Sequence, residues 1–346
     1  MVEKQLTSLE IKKLRQRFVS DYNLPIQVLH SPYFEERLDL FESEFGAKSE
    51  YDKLLALIRD KYDGQPNKFL EEYAKIREEI ISSAKNSKEF KDFVNGDFKK
   101  YERKFPVGNV KLYTEANTIA NNNYYITFDL KKANFQAIRY VMPEVVQNSS
   151  TYEDFVGNFT NLDYFKNSKY IRQVVFGQLC PKKTIIVEKY LIGKIYDFIS
   201  EYFKMWGQPF SINSDEIIYK VSEHHFKDFY WNNINHLIEV FKQCFGVEVR
   251  VNKFQLHLHK FHFGTSDATL DVFEKQNFAP YQKDSFACLP IIYAPQVYKL
   301  LKCEEVTEND RTFYHEHELV TFKYPLTIDK KQEEIVKSQR LNELPF

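Results

Sequence analysis

The sequence predicts an α+β fold built on an antiparallel sheet, and three observations carry that expectation. Residues 1–105 repeat apolar residues at helical spacing. The β-rich run "YYITFDL" ends on Asp129 and its following Leu130. Farther on, "FSINSDEIIYKV" reads as a hairpin, and "VEVRVNKFQLHLHKFHF" alternates as one strand or a pair of strands. Strands and a hairpin separated by helices describe a layered α+β arrangement.

In order along the chain, "LTSLEIKKLRQRFVSDY" offers Ser8 as a helix cap. "SEYDKLLALIRDKY" and the long stretch 66–105 continue the helical pattern with Glu/Lys pairs at i,i+4. The polar, turn-rich segment 106–123 predicts a boundary. The strand ending at Asp129 follows, then a helix to about Val141, which Pro143 stops. Helices are expected in "TYEDFVGNF", "SKYIRQVVFGQL" and "TIIVEKYLIGKIYDFISEYFKMW". After the hairpin, "HHFKDFYWNNINHLIEVFKQCFG" predicts one helix closed by Gly246, and the tail after 264 short strands and loops.

Composition narrows the function classes. Hydrophobic residues make up 43% and charged residues 28% of 346, which allows a sizeable core in a soluble chain. The net charge of −1 gives no global basic field, so nucleic-acid binding would need a local cationic groove. Cys180, Cys244, Cys288 and Cys303 form no CxxC pair, which argues against a zinc ribbon or disulfide framework. No apolar run approaches the roughly 20 residues of a membrane span, and the charged N-terminal residues lack a signal-peptide apolar region. The expectation is a cytoplasmic protein with no membrane partner.

Asp129 and Asp215 are the residues that suggest chemistry. An acid closing an apolar strand is either solvated or held by a cation. Asp215 lies in the hairpin turn, so a hairpin beside the Asp129 strand would bring two carboxylates to one end of the sheet. Such a pair repels unless neutralised, and it suits Mg²⁺, which binds through one or two carboxylates plus substrate phosphates. Between the acids, Arg172 and Phe176 are one helical turn apart. They read either as a triphosphate contact and a base-stacking ring, or as an ordinary amphipathic helix.

The order of these patterns resembles the palm and fingers of family A (polymerase I-like) DNA polymerases over roughly residues 120–256. "FDLKKANFQAIR" is similar to that family's first acidic motif, with Asp129 as metal ligand. "RQVVFGQLCP" resembles its fingers helix at Phe176 and Gly177, with Arg172 where the family has Lys. "SDEIIYKV" is similar to its last acidic motif, with Asp215 and Glu216 in place and Ser214 where the family has His. Asn134 stands where the family has the Glu that excludes ribonucleotides, and Cys180-Pro181 replaces Tyr-Gly. Arg172 is 43 residues from each acid (129 to 172, 172 to 215), and the second gap is much shorter than usual in that family and closer to the compact palms of reverse transcriptases.

The resemblance implies a palm-type sheet and a nucleotidyltransferase, DNA-directed and without proofreading. It would use Mg²⁺ or Mn²⁺, a primer–template and nucleoside triphosphates. Asp129 and Asp215 would be metal ligands, Glu216 a further catalytic acid, and Arg172, Phe176, Asn134 and Lys169 nucleotide contacts. The compact form suggests a phage, virus or mobile element, hence a host cytoplasm. Two alternatives stay open: an inactive palm serving nucleic-acid binding or assembly, and an RNA-making or template-independent transferase. The expected domains are a thumb-like 1–110, a palm with short fingers helices over 111–263, and an extension of unknown role, 264–346. The lysines at 131–132 and 182–183 are solvated or contact phosphates. His257 with His259, and His315 with His317, are either metal ligands or hydrogen-bonded strand histidines.

Overall fold

The computed structural model describes residues 7–110, 112–113, 123–229, 231–264, 268–278 and 283–328. Most of the expected boundary at 106–123 lies outside them. The N-terminal helices are α1 (Ser8–Tyr22), α2 (Tyr33–Leu40), α3 (Glu42–Phe45), α4 (Ala47–Lys61), α5 (Pro66–Asn86) and α6 (Lys88–Asn95). The cap of α1 is Thr7, one residue before the expected Ser8. Its hydroxyl accepts from the Glu10 N–H while the Glu10 carboxylate accepts from the Thr7 N–H, a reciprocal capping box that Ser8 is not placed to form.

Strand β1 (Asn123–Leu130) leads into α7 (Ala133–Val141), and a 3₁₀ turn begins at Pro143. Four helices follow: α8 (Tyr152–Gly157), α9 (Asp163–Asn167), α10 (Lys169–Gly177) and α11 (Pro181–Tyr202). The hairpin is β2 (Ser211–Ile212) with β3 (Glu216–Val221). The single helix expected next is two, α12 (Glu223–Asp228) and α13 (Trp231–Phe245). They part at Phe229, a buried ring packed against Phe203 and Trp206. Gly246 closes α13 at φ 66°, as a left-handed cap requires. The alternating run is one strand, β4 (Val249–Phe263). The tail holds β5 (Thr269–Asn277), β6 (Ser285–Ala287), an unexpected helix α14 (Ala294–Leu301), and β7 (Thr312–His315), β8 (Glu318–Thr321) and β9 (Leu326–Ile328).

The chain forms two compact units. One unit joins residues 1–70, 257–275 and 283–346; the other holds 71–256 with 276–282. Residues 264, 268–275 and 283–328 fall in the same unit as the N-terminal helices α1–α4. The contact that ties them together is a buried ion pair, Arg37 Nη1 to Asp310 Oδ1 at 2.9 Å, with Lys299 Nζ at 3.0 Å from Asp310 Oδ2. In this unit β9 and β5 flank the second half of β4, β6 pairs with β5, and Phe261, Val272, Val297, Leu301 and Leu326 form an apolar core.

The other unit carries the sheet order β2-β3-β1-β4, antiparallel throughout. Both faces of β1 are buried. On one of them Phe128 packs edge-on against Tyr219 and against Phe241 of α13. Phe135 of α7 meets Phe176 of α10 and Tyr152 of α8, tying those helices together. Each such buried ring contributes roughly 1.5–3 kcal/mol. The burial of these side chains fixes β1, and with it Asp129, against the helical layer.

Candidate active site

The candidate site lies where β1 and the β2–β3 turn end together. In the antiparallel register of β1 with β3, Asp129 stands opposite Glu216, and the Leu130 N–H donates to the Asp215 carbonyl at 2.8 Å. Asp129 is on β1 and Asp215 lies in the turn that leads into the adjacent strand β3, so the residue directly across from Asp129 is Glu216. That turn is set by Asn213, whose side-chain oxygen accepts from the N–H groups of Asp215 (2.9 Å) and Glu216 (2.8 Å).

Helix α7 is anchored at the same end. The buried Gln136 amide donates to the Glu248 carbonyl at 2.7 Å and accepts from the Glu248 N–H at 2.6 Å, and also donates to the Lys131 carbonyl. Lys131 N–H donates to the same Glu248 carbonyl at 3.0 Å. Between strand and helix, Lys132 adopts φ 50°, the sharp corner that lets α7 start three residues past Leu130.

The electrostatics combine acids and cations. Arg250, the register partner of Asp129 on β4, places Nε 3.7 Å from Asp129 Oδ2, and both side chains reach solvent. Burial, then repulsion from Arg172 and Arg250, lowers the pKa of Lys169, so these three cations share one neighbourhood. Such a group costs free energy to assemble and is relieved by a polyanion. On the acidic side stands Glu188 of α11, 3% exposed, whose Oε1 has no hydrogen-bond partner among the described residues. Burial, then the charge of Asp215, pushes its pKa up to about 7.

Arg172 is half-buried, with its guanidinium carbon 6.0 Å from the Tyr152 ring centre. Asn134 is exposed in the first turn of α7. Phe176 is not a base-stacking ring: it is 1% exposed and enclosed by Phe135 and Tyr152. The neighbouring Ile171 and Val175 are buried too, so this face of α10 points into the core. Two residues missed in the sequence join the site, Arg250 and Glu188. Arg250 follows from strand pairing alone. Glu188 had a signal, an acid among the apolar positions of "TIIVEKYLIGKIY".

Two of the four lysines expected to be solvated or to contact phosphates have internal partners. Lys132 pairs with Glu153, and Lys183 donates to the Gly96 carbonyl at 2.6 Å. His259 bonds Glu274 at 2.6 Å, a buried histidine with a carboxylate partner, while His315 and His317 are exposed. Among the described residues no three His, Cys, Asp or Glu side chains gather to hold a metal, and no helix is long and apolar enough to cross a membrane. No family model, curated protein or solved structure matches this chain.

Proposed function

We propose that the chain is a palm-type nucleotidyltransferase that adds nucleotides to a nucleic-acid 3′ end. The observation that carries this reading is the backbone register that sets Asp129 opposite Glu216 and bonds the Leu130 N–H to the Asp215 carbonyl, which puts three acidic positions at one end of an antiparallel sheet. The linked cations Lys169, Arg172 and Arg250 adjoin them, with Arg250 contacting Asp129. Carboxylates beside a cationic cluster suit a substrate that is itself a polyanion bearing divalent metal. Asp129 and Asp215 would hold Mg²⁺ or Mn²⁺, and a cation there would relieve the repulsion between Asp215 and Glu188. When bound, the metal supplies charge neutralisation at the phosphates and lowers the pKa of an attacking hydroxyl. Lys169, Arg172 and Arg250 would bind the triphosphate and offset the charge that develops as the α-phosphate is attacked. Asn134 would contact the sugar, and Phe176 supports α10 from within the core.

A second reading, an inactive palm that binds nucleic acid, is favoured by one feature. Arg250 already neutralises Asp129 in place of a metal. One experiment separates the two: primer extension with dNTPs and with NTPs, on DNA and RNA templates, with Mg²⁺ or Mn²⁺. The enzyme reading expects extension that Asp129→Asn and Asp215→Asn each abolish, with folding preserved. A folded wild-type chain that extends no primer under any of these conditions, yet binds nucleic acid, supports the second reading.

A further inference from the structure

A separate feature lies in the unit formed by residues 1–70, 257–275 and 283–346. Three rings form a near-parallel ladder there. Phe313 and Phe322 have centroids 4.2 Å apart at 22°, and Tyr293 and Phe322 4.9 Å apart at 18°. Beside the ladder is a cavity of about 190 Å³ lined by Phe263, Tyr293, Gln296, Phe322, Lys323 and Tyr324. Phe263 meets Tyr293 at 59° and forms a wall; Tyr324 is 52% exposed at the rim. Gly264 makes room for Tyr324, since a Cβ there would lie 3.0 Å from the Tyr324 Cβ.

The decisive side chain is Gln296. It is 1% exposed, and its Oε1 accepts from the Leu326 N–H at 2.8 Å. Gln296 lines the cavity, and its Nε2, itself almost wholly buried, has no hydrogen-bond partner among the described residues. A buried amide donor left unmatched costs free energy that a ligand acceptor recovers. The site therefore presents flat aromatic walls, one fixed donor, and the exposed ammonium of Lys323. A phenylalanine ring of a peptide lacks the in-plane acceptor and the anion that this combination matches. A nucleobase with an attached phosphate has both. The cavity is smaller than the roughly 300–1,000 Å³ of sites for drug-sized ligands, which fits a single base.

We propose that this cavity binds a nucleobase, stacked against the ladder, accepting from Gln296 Nε2, with its phosphate near Lys323. The base comes either from a free nucleotide or from an unpaired position of a single strand. The assignment does not depend on the reaction proposed above. The test uses the full chain with two photoreactive probes: single-stranded oligothymidine carrying one 4-thiothymidine, and free 4-thiothymidine triphosphate. Adducts are mapped by peptide mass spectrometry. The expected result is labelling of the segment 313–324, with the probe that labels it identifying the source. Tyr324→Ala and Gln296→Glu should each cut that labelling about tenfold, the scale of one lost stacking or hydrogen-bonding contact. Gln296→Glu keeps an acceptor for Leu326, replaces the donor and adds a carboxyl that would repel the phosphate, and melting curves confirm that both variants fold. Labelling at 313–324 should persist in Asp129→Asn, which separates this site from the acidic one. Labelling confined to other segments, no labelling, or equal yields in wild type and both folded variants would overturn the proposal.

Discussion

Replacing Glu188 with glutamine should change how stability depends on pH. The carboxyl is 3% exposed, and burial, then Asp215, raises its pKa to about 7. Below about pH 4.5 both folded and unfolded chains hold the proton, and Glu188 has no pH-dependent effect. Between there and pH 7 the folded chain keeps a proton that the unfolded chain has released, so stability falls as pH rises. Above pH 7 the buried charge is present in full. A shift from the usual carboxylate value to about 7 corresponds to about 3 kcal/mol across this window. Glu188→Gln keeps the shape and removes this loss. It should match wild type near pH 4 and exceed it by up to about 3 kcal/mol near pH 8. Asp215→Asn should recover a smaller part, because burial is the larger cause. Urea unfolding followed by tryptophan fluorescence reads the right region, since both tryptophans, Trp206 and Trp231, lie in the unit that contains Glu188. Wild type and Glu188→Gln differing by less than about 0.5 kcal/mol at both pH values, the scatter of neutral surface substitutions, would refute the reasoning.

Three further outcomes follow from the packing. Asp310→Asn leaves Arg37 buried against a neutral partner and should cost about 3–5 kcal/mol, seen as a lowered urea midpoint by circular dichroism. Gly193→Ala puts a Cβ 2.6 Å from Arg103 Nε and must displace the side chain that pairs with Asp197. The clash should cost about 1–3 kcal/mol, against roughly 1 kcal/mol of helix propensity gained, so a melting temperature that rises would show that Arg103 moves freely. Phe176→Ala should destabilise by about 3–5 kcal/mol and Arg172→Ala by less than about 1 kcal/mol, while only Arg172→Ala weakens nucleotide binding in a folded protein.

What the sequence revealed, and what it hid, divides by the range of the interaction. The Asn213–Glu216 turn, the glycine stop at Gly246 and the strand that carries Asp129 next to its last residue are set by neighbouring residues, and local patterns expose them. Helical spacing correctly placed Arg172 and Phe176 one turn apart, but spacing does not say which way that face looks. Ile171 and Val175 turn Phe176 inward, leaving Arg172 at the margin. Periodicity also ran unbroken through 224–245, because the break at Phe229 comes from Phe203 and Trp206, distant residues that draw the ring in. The Arg37–Asp310 pair spans 273 residues, so no local pattern could announce that the tail joins the N-terminal helices. Arg250 and Glu188 reach the site through strand register and helix packing, which emerge only once the sheet is assembled.

Gln136 has a consequence beyond anchoring. Its amide gives and takes hydrogen bonds at Glu248 as a peptide group would, so one side chain imitates the next rung of the β1–β4 ladder after the backbone has turned away. The sheet is thereby lengthened without main chain, and the freed backbone is able to make the Lys132 corner. The angle at which α7 leaves β1 is in this way written into a side chain. A Glu at 136 would keep the shape and lose the donor, so the false rung would fail while every real one remained. The acids at the strand end would then shift without any change to the residues that bear them.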